Sequence, residues 1–220
     1  MPRVSHITAI YLITGVCGLV DAACFLSMGR VFAETMTGNM LFLCFFIGTG
    51  QSVFGDARYL LVIAGFLLGA LAGGRLLRGR RAEMRIGFAV EWMMLAAALS
   101  LTATLHPEAP GPARHLVTTL LAFAMGMQSA LVRRHGVPDL ATNVMTLTAT
   151  ALMADSAPAG GHNENWRRRF ASIAMFLASA TLGAALTTEL GPWAPLALTV
   201  VLFTVALTGL IVRDGAAGKD

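Results

Sequence analysis

The chain has 220 residues, of which 56% are hydrophobic and 13% are charged, and its formal net charge is +4. About a quarter of the residues of a soluble globular domain are charged, so this composition excludes an ordinary soluble domain and indicates a protein of the lipid bilayer. The basic residues cluster in short loops between apolar segments, a pattern that orients membrane proteins and argues against a nucleic-acid partner.

Apolar residues fall into eight runs along the chain. They lie at 7–28, 38–54, 57–77, 84–105, 113–132, 140–154, 170–188 and 193–213. A helix needs about 20 apolar residues to cross a hydrocarbon core of about 30 Å, and most of the runs reach that length. The runs 38–54 and 140–154 are weaker, so they are the candidates for segments that do not cross.

The distribution of Lys and Arg distinguishes between two topologies. If all eight runs cross, eight basic residues lie on each side and there is no positive-inside bias. If each weak run enters and leaves on one face, thirteen basic residues share the side of the termini, and only Arg30, Arg58 and Arg114 lie opposite. We therefore predict six crossings, cytoplasmic termini and two re-entrant segments, one from each face.

The two halves of the chain resemble each other weakly. The aligned positions are Gly18–Ala22 with Gly126–Ala130, Met36-Thr37 with Met145-Thr146, and Phe66-Leu67 and Gly73 with Phe176-Leu177 and Gly183, at offsets of 108 to 110. Because three crossings per half is an odd number, the second half starts on the opposite face. The sequence thus predicts an all-α membrane protein of two inverted repeats, residues 1–108 and 109–220, each with a crossing, a re-entrant segment and two more crossings.

Polar turns lie at the start of the two weak runs. They are Glu34-Thr-Met-Thr-Gly-Asn39 and Thr142-Asn-Val-Met-Thr-Leu-Thr148. Non-helical backbone at membrane depth is tolerated where protein buries it or where it lines a wet cavity. We expect Gly38 to permit a turn, and Thr37 or Asn39 to cap a half-helix whose free N–H groups face a solute. In the alternative interpretation, these residues are the turns and N-caps of two further ordinary helices.

Asp21 lies well inside the first apolar run. An acid there is costly unless it is paired, hydrated or protonated, so it is a candidate for function, and desolvation favours the protonated form that could carry a coupling proton. The structural alternative is an Asp that ties the first crossing to the re-entrant turn by hydrogen bonds. Gln128 and Ser129 occupy the corresponding positions of the second half, where they make the site asymmetric or join helices by hydrogen bonds.

Two further features lie inside the apolar runs. Glu91 lies in the run 84–105, and it either lines the site, reaches the cytoplasmic headgroups or pairs with Arg85. Gly65, Gly69 and Gly73 recur every four residues and therefore predict close helix packing along one face. The same face permits a homodimer, although packing within the chain would use it equally.

A pattern of residues spans both halves: Gly18-Leu-Val-Asp21-Ala22, Phe32, Met36-Thr-Gly-Asn39, Gly126-x-Gln128-Ser-Ala130 and Thr146. It resembles the YoaK-type family of bacterial multi-pass membrane proteins, catalogued as a domain of unknown function, over about residues 7–213. The Asp-Ala pair followed by Thr-Gly-Asn is the more specific part, and the second-half motif is looser. The resemblance implies a bacterial inner-membrane protein of a kind often described as a transporter, and it does not give a substrate.

We predict a small-solute transporter of the bacterial inner membrane, a secondary carrier with Asp21 as the candidate for proton coupling. The alternatives are a passive channel of the same architecture and a non-transporting membrane scaffold or assembly factor. The predicted substrate or coupling-ion residues are Asp21, Thr37, Gly38, Asn39, Gln128, Ser129, Thr146 and Thr148, with Glu34, Glu91 and Asn143 as secondary candidates. No enzyme motif, metal site or cofactor is predicted; the expected partners are the lipid bilayer and a small solute or ion.

Overall fold

The computed structural model describes residues 6–52, 56–76, 81–135 and 145–214. Of these, it describes only the backbone at 6, 7, 10, 81–85, 134, 135 and 209–214. The regular secondary structure of the described residues is entirely helical. The α-helices are α1 (His6–Ser27), α2 (Met36–Gly48), α3 (Arg58–Leu76), α4 (Arg81–Leu105), α5 (Pro112–His135), α6 (Met145–Ala154), α7 (Trp166–Leu190) and α8 (Trp193–Asp214). Each helix coincides with one of the eight predicted apolar runs.

The helices differ in length in the way that the apolar runs predict. Among the described residues, four segments are long and apolar enough to cross a membrane: Arg58–Leu76, Ile86–Leu105, Pro112–Arg133 and Trp166–Leu190. α1 and α8 have 22 residues each. By contrast, α2 and α6 have 13 and 10 residues, which at 1.5 Å per residue is about 20 Å and about 15 Å, less than the hydrocarbon core of about 30 Å.

Large apolar side chains cover the outside of the long helices. Leu67, Leu68, Phe170 and Leu177 are each more than half exposed. A soluble domain rarely exposes a continuous apolar surface of this kind, whereas a bilayer requires one. The chain is therefore an α-helical membrane protein.

α5 is the most buried of the four long apolar spans. In its apolar window 67% of the residues are buried, compared with 22–33% in α3, α4 and α7. α3 packs along it through the three glycines at four-residue spacing: Gly65 faces Thr119, Gly69 faces the Phe123 carbonyl and Gly73 faces Met127. The predicted packing role of these glycines is confirmed, and the face that they form is used within the chain.

α1 packs on α7 in a matching way. Gly18 lies so close to α7 that an added Cβ would be 2.8 Å from both the Phe176 carbonyl oxygen and the Ala180 nitrogen. One turn further along, Gly183 faces Leu19 and Ala22. Because the contacts advance in the same direction along both helices, α1 and α7 run parallel, as α3 and α5 do.

Contacts at the helix ends bring distant parts of the chain to the same level. α1 ends at Ser27, and the chain turns at Gly29, whose φ of +91° is in the region that glycine favours. The Gly29 carbonyl accepts a hydrogen bond from Arg58 Nη1 at 3.1 Å, and the Arg114 side chain packs against the Gly29 Cα. At the other end of α1, Tyr11 donates to the Arg168 carbonyl at 3.5 Å.

Candidate functional site

The segment between α1 and α2 folds back against α1, and Asp21 holds it there. One carboxylate oxygen of Asp21 accepts the Glu34 backbone N–H at 2.8 Å. The other accepts the Thr35 N–H at 3.1 Å and the Thr35 hydroxyl at 2.6 Å. Asp21 is 5% exposed, so its charge faces donors from the turn rather than solvent. Asp21 thus ties α1 to the turn before α2 by hydrogen bonds, as in the structural alternative.

The start of α2 differs from the prediction. α2 begins at Met36 with Thr35 as its N-cap residue, and Thr35 makes no side-chain capping bond because its hydroxyl donates to Asp21. The expectation that Thr37 or Asn39 caps this helix is wrong, since both residues lie within it. Gly38 is also helical and does not form a turn; its lack of a side chain admits the Phe32 ring, whose nearest atoms are 2.9 Å from an ideal Cβ position.

Asn39 holds the incoming chain from the other side. Its amide oxygen accepts the Phe32 N–H at 2.9 Å, and its amide nitrogen donates to the Phe32 carbonyl at 2.6 Å. Asn39 is completely buried, and its two bonds satisfy both backbone polar groups of Phe32. The Phe32 ring stacks on Phe25 and Phe42 with centroids 4.8 Å and 6.3 Å away, which fixes α2 against α1.

The turn carries Glu34 into the bundle. Glu34 is 3% exposed, and its two carboxylate oxygens lie 3.1 Å and 3.3 Å from the Ser129 hydroxyl, which donates to them. This contact joins a segment of the first half of the chain to α5 in the second half. Next to Ser129, the Gln128 amide nitrogen donates to Cys17 Sγ at 3.1 Å, while the Gln128 amide oxygen is buried without a partner among the described residues.

Glu91 of α4 is a third buried acid. It has no exposed surface, and neither of its carboxylate oxygens has a hydrogen-bond partner among the described residues. Because Glu91 is completely buried, the interpretation that it reaches the headgroups is wrong; the Arg85 side chain lies outside the described residues.

Unlike Gln128 and Ser129, the candidates on α6 make no described contact with this cluster. Thr146 is exposed, and its carbonyl accepts the Thr150 hydroxyl within α6. Thr148 is 4% exposed, and Asn143 lies outside the described residues. α6 is held to α7 by Arg169, which donates to the Ala151 carbonyl at 2.8 Å and to Asp155 at 2.6 Å. Thr37 of α2 is likewise exposed.

The structure thus brings part of the predicted site residues into contact and adds one residue to them. Asp21, Glu34 and Ser129 form a continuous chain of contacts. Thr35, which the sequence did not single out, completes the Asp21 contact. Glu34 and Glu91 can be recognised from the sequence, because any acid at membrane depth is a candidate for function. Within the described part of the chain, no three His, Cys, Asp or Glu side chains come together as metal ligands.

Comparisons with known proteins agree with the fold. A family model described as a protein of unknown function, DUF1275, matches residues 9–208. The UPF0700 transmembrane protein YoaK of Bacillus subtilis strain 168 is 26% identical over 154 residues, which is 67% of this chain and 66% of that protein. No solved structure matches the chain significantly. Since the family model covers nearly all of the helical bundle, the chain belongs to the DUF1275 family of membrane proteins.

Proposed function

We propose that this protein is a proton-coupled secondary carrier of a small solute in the bacterial inner membrane, and not an enzyme. In this proposal α1, α3, α4, α5, α7 and α8 cross the membrane, and α2 and α6 are re-entrant segments that enter from opposite faces. The observation that carries the proposal is the contact between Glu34 and Ser129, which joins an acid of the turn before the short helix α2 to α5 in the other half of the chain.

The helix-end contacts support the re-entrant topology. Arg58 at the start of α3 and Arg114 at the start of α5 both contact Gly29, just beyond the end of α1. In the proposed topology the end of α1 and the start of α3 are on one face, and α2 between them returns to the face that it leaves. Tyr11 and Arg168 lie together at the opposite face. In the six-crossing topology, Arg58, Arg114 and the neighbouring Arg30 are the three basic residues on the external side, which has few basic residues.

The interhelical contacts support the inverted repeat. Gly18 packs on Phe176 and Ala180, while Gly126, 108 positions later, packs on Phe66 and Ala70. Both partner pairs are 110 positions apart, which is the offset found in the sequence. The same relation connects Gly183, which faces Leu19 and Ala22, with Gly73, which faces Met127 and Ala130. A pseudo-twofold arrangement of this kind is typical of carriers whose site lies at the repeat interface.

The asymmetry between the halves supports a coupled carrier over a passive channel. Asp21 and Ser129 are repeat-related positions, and both contact the same turn: Asp21 binds its backbone and Ser129 binds the Glu34 carboxylate. The sequence suggested Asp21 as the coupling acid. In this proposal the coupling acid is Glu34, which Asp21 holds in position. A turn that is bound by both halves would change its surroundings when the halves move relative to each other.

Single cysteines test the topology. In a background without native cysteines, we expect His162→Cys to react with a membrane-impermeant maleimide only from the cytoplasmic side and Glu108→Cys only from the outside. Both positions are exposed. If all eight helices crossed, both cysteines would lie on the cytoplasmic side, and labelling of both from that side would refute the re-entrant topology.

Proteoliposomes test the transport activity. We expect saturable counterflow of at least one member of a panel of labelled amino acids, organic acids, sugars and monoamines, with faster uptake under an inward proton gradient. Non-saturating flux with a measurable conductance would favour a channel. Neither flux nor conductance across the panel would favour the scaffold alternative.

A further inference from the structure

A groove lies between α6 and α7, next to the loop 155–165 that joins them. Leu152 and Met153 of α6 line it from one side, and Trp166 and Phe170, one turn apart on α7, line it from the other. Its volume is about 420 Å³, which is within the range of about 300–1,000 Å³ that ligand sites have. Met153, Trp166 and Phe170 are 63%, 46% and 58% exposed, so the described chain leaves the groove uncovered.

Hydrogen bonds within the loop hold the polar rim of the groove in place. Asn163 lines the groove together with Ser156. Its amide oxygen accepts the Ala157 backbone N–H at 3.0 Å, and its own backbone N–H donates to the Asp155 carbonyl at 2.9 Å. Gly161 packs so closely on the Asp155 backbone that a side chain would not fit there. The groove is therefore shaped by the backbone, and the amide NH₂ of Asn163 is a donor at its rim.

Arg167 lies beside the apolar wall of the groove. Its side chain is exposed, and its guanidinium carbon is 5.6 Å from the centre of the Trp166 ring, which is within cation–π range. A guanidinium group binds a phosphate through two parallel hydrogen bonds, and tryptophan is enriched in membrane proteins at the level of the lipid headgroups. The groove thus combines apolar walls with a neighbouring cation that suits a headgroup phosphate.

The charges around the groove favour an anion. The segment 155–170 contains the three arginines 167–169 with Asp155 and Glu164, which is a formal net charge of +1 with His162 neutral. Asp155 forms an ion pair with Arg169 at 2.6 Å, so it does not oppose Arg167. In the proposed topology the segment also lies on the face that carries thirteen of the basic residues. Basic residues at the cytoplasmic surface attract anionic lipids.

We propose that this groove binds one anionic phospholipid, with an acyl chain against Leu152, Met153 and Phe170 and the phosphate at Arg167. α6 is a helix of 10 residues that packs on α7, and a lipid between the two helices would hold α6 in place. The proposed topology assigns the lipid to the cytoplasmic leaflet. The binding itself does not depend on the carrier function and can be measured without a transport assay.

Quenching of Trp166 fluorescence by brominated lipids tests the proposal. Trp92→Phe and Trp193→Phe remove the other two tryptophans of the chain, and the protein is reconstituted in phosphatidylcholine nanodiscs. A small fraction of phosphatidylglycerol with a brominated acyl chain is added, or the same fraction of brominated phosphatidylcholine. We expect the association constant to be at least about fivefold higher for the phosphatidylglycerol, which is the effect of one basic side chain near an anionic surface.

Two arginine variants show whether the preference comes from the groove. Arg167→Gln should reduce the preference by about fivefold. Arg133→Gln is the matched control and should keep it, because Arg133 is an exposed arginine near the end of α5 that does not line the groove. Native mass spectrometry of the chain with all three tryptophans is the second measurement: bound phosphatidylglycerol should decrease in Arg167→Gln and not in Arg133→Gln. A monodisperse elution profile verifies that each variant is folded.

Several outcomes would overturn the proposal. Equal quenching by the two lipids when Arg167 is intact would show that ordinary bilayer lipid occupies the groove. An unchanged preference in Arg167→Gln would refute the phosphate contact, and an equal loss in both arginine variants would assign the preference to the overall charge of the surface. Weak quenching by both lipids, with a mass of two chains per complex, would show that a second copy of the chain covers the groove.

Discussion

Replacing Asp21 by Asn removes the group that holds the turn between α1 and α2 while almost preserving the shape of the side chain. In the wild type one oxygen of Asp21 serves Glu34 and the other serves both donors of Thr35. An amide has one acceptor oxygen and one donor NH₂. In either orientation, at least one backbone N–H of the turn would therefore face another donor.

The size of the effect follows from these bonds. A hydrogen bond to a charged group contributes about 1.5–3 kcal/mol, and a buried backbone N–H without an acceptor costs about 1–3 kcal/mol. Thr35 is exposed, so water can compensate part of the loss, and we expect a net destabilisation of about 2–4 kcal/mol. For a chain of this size each kcal/mol lowers the melting temperature by about 2–4 °C, so the expected decrease is roughly 4–16 °C.

The assay is a thermal scan of the purified protein in one detergent at one scan rate, because unfolding of such proteins is commonly irreversible and the midpoint depends on the rate. Asp56→Asn is the matched control, since it removes the same charge. Asp56 pairs with Arg58 at 3.2 Å, but its side chain is 36% exposed, and exposed pairs contribute about 0–1 kcal/mol. Uptake per folded molecule is measured on the same preparations.

The reasoning is refuted if Asp21→Asn melts no lower than Asp56→Asn. If Asp21→Asn melts no lower than the control but loses its uptake, Asp21 binds the solute or proton directly. If it melts lower but transports normally per folded molecule, the role of Asp21 as an anchor is supported.

Two further predictions concern packing and the Asn39 clamp. Gly69→Ala places a Cβ against the Phe123 carbonyl and should destabilise the protein by at least about 1–3 kcal/mol. The control Gly74→Ala has open space around it and should be neutral or stabilising by up to about 1 kcal/mol. Equal melting temperatures of the two variants would contradict the α3–α5 packing. Asn39→Ala leaves both Phe32 backbone groups without their Asn39 partner and should lower the free energy of unfolding by about 2–4 kcal/mol. The control Thr37→Ala, at an exposed position, should lower it by about 0.5 kcal/mol or less. Similar losses in the two variants would show that the Asn39 clamp contributes little.

The sequence by itself determined the number, position and type of the helices. An apolar run is a local property, and its length relative to the bilayer decides whether a helix can cross. For this reason the eight runs correspond to the eight helices, and the two weak runs to the two short ones. The glycines at four-residue spacing were equally readable, because a stripe of small residues on one face has few uses other than close packing.

The tertiary structure alone decided which polar groups meet. Successive residues of a helix are rotated by about 100°, so Thr37 and Asn39 point about 200° apart and cannot both face the core. Glu34 meets Ser129 of α5 because Asp21 holds the turn before α2 against α1. The depth and rotation of each helix depend on its packing against several others, and no local pattern encodes that arrangement.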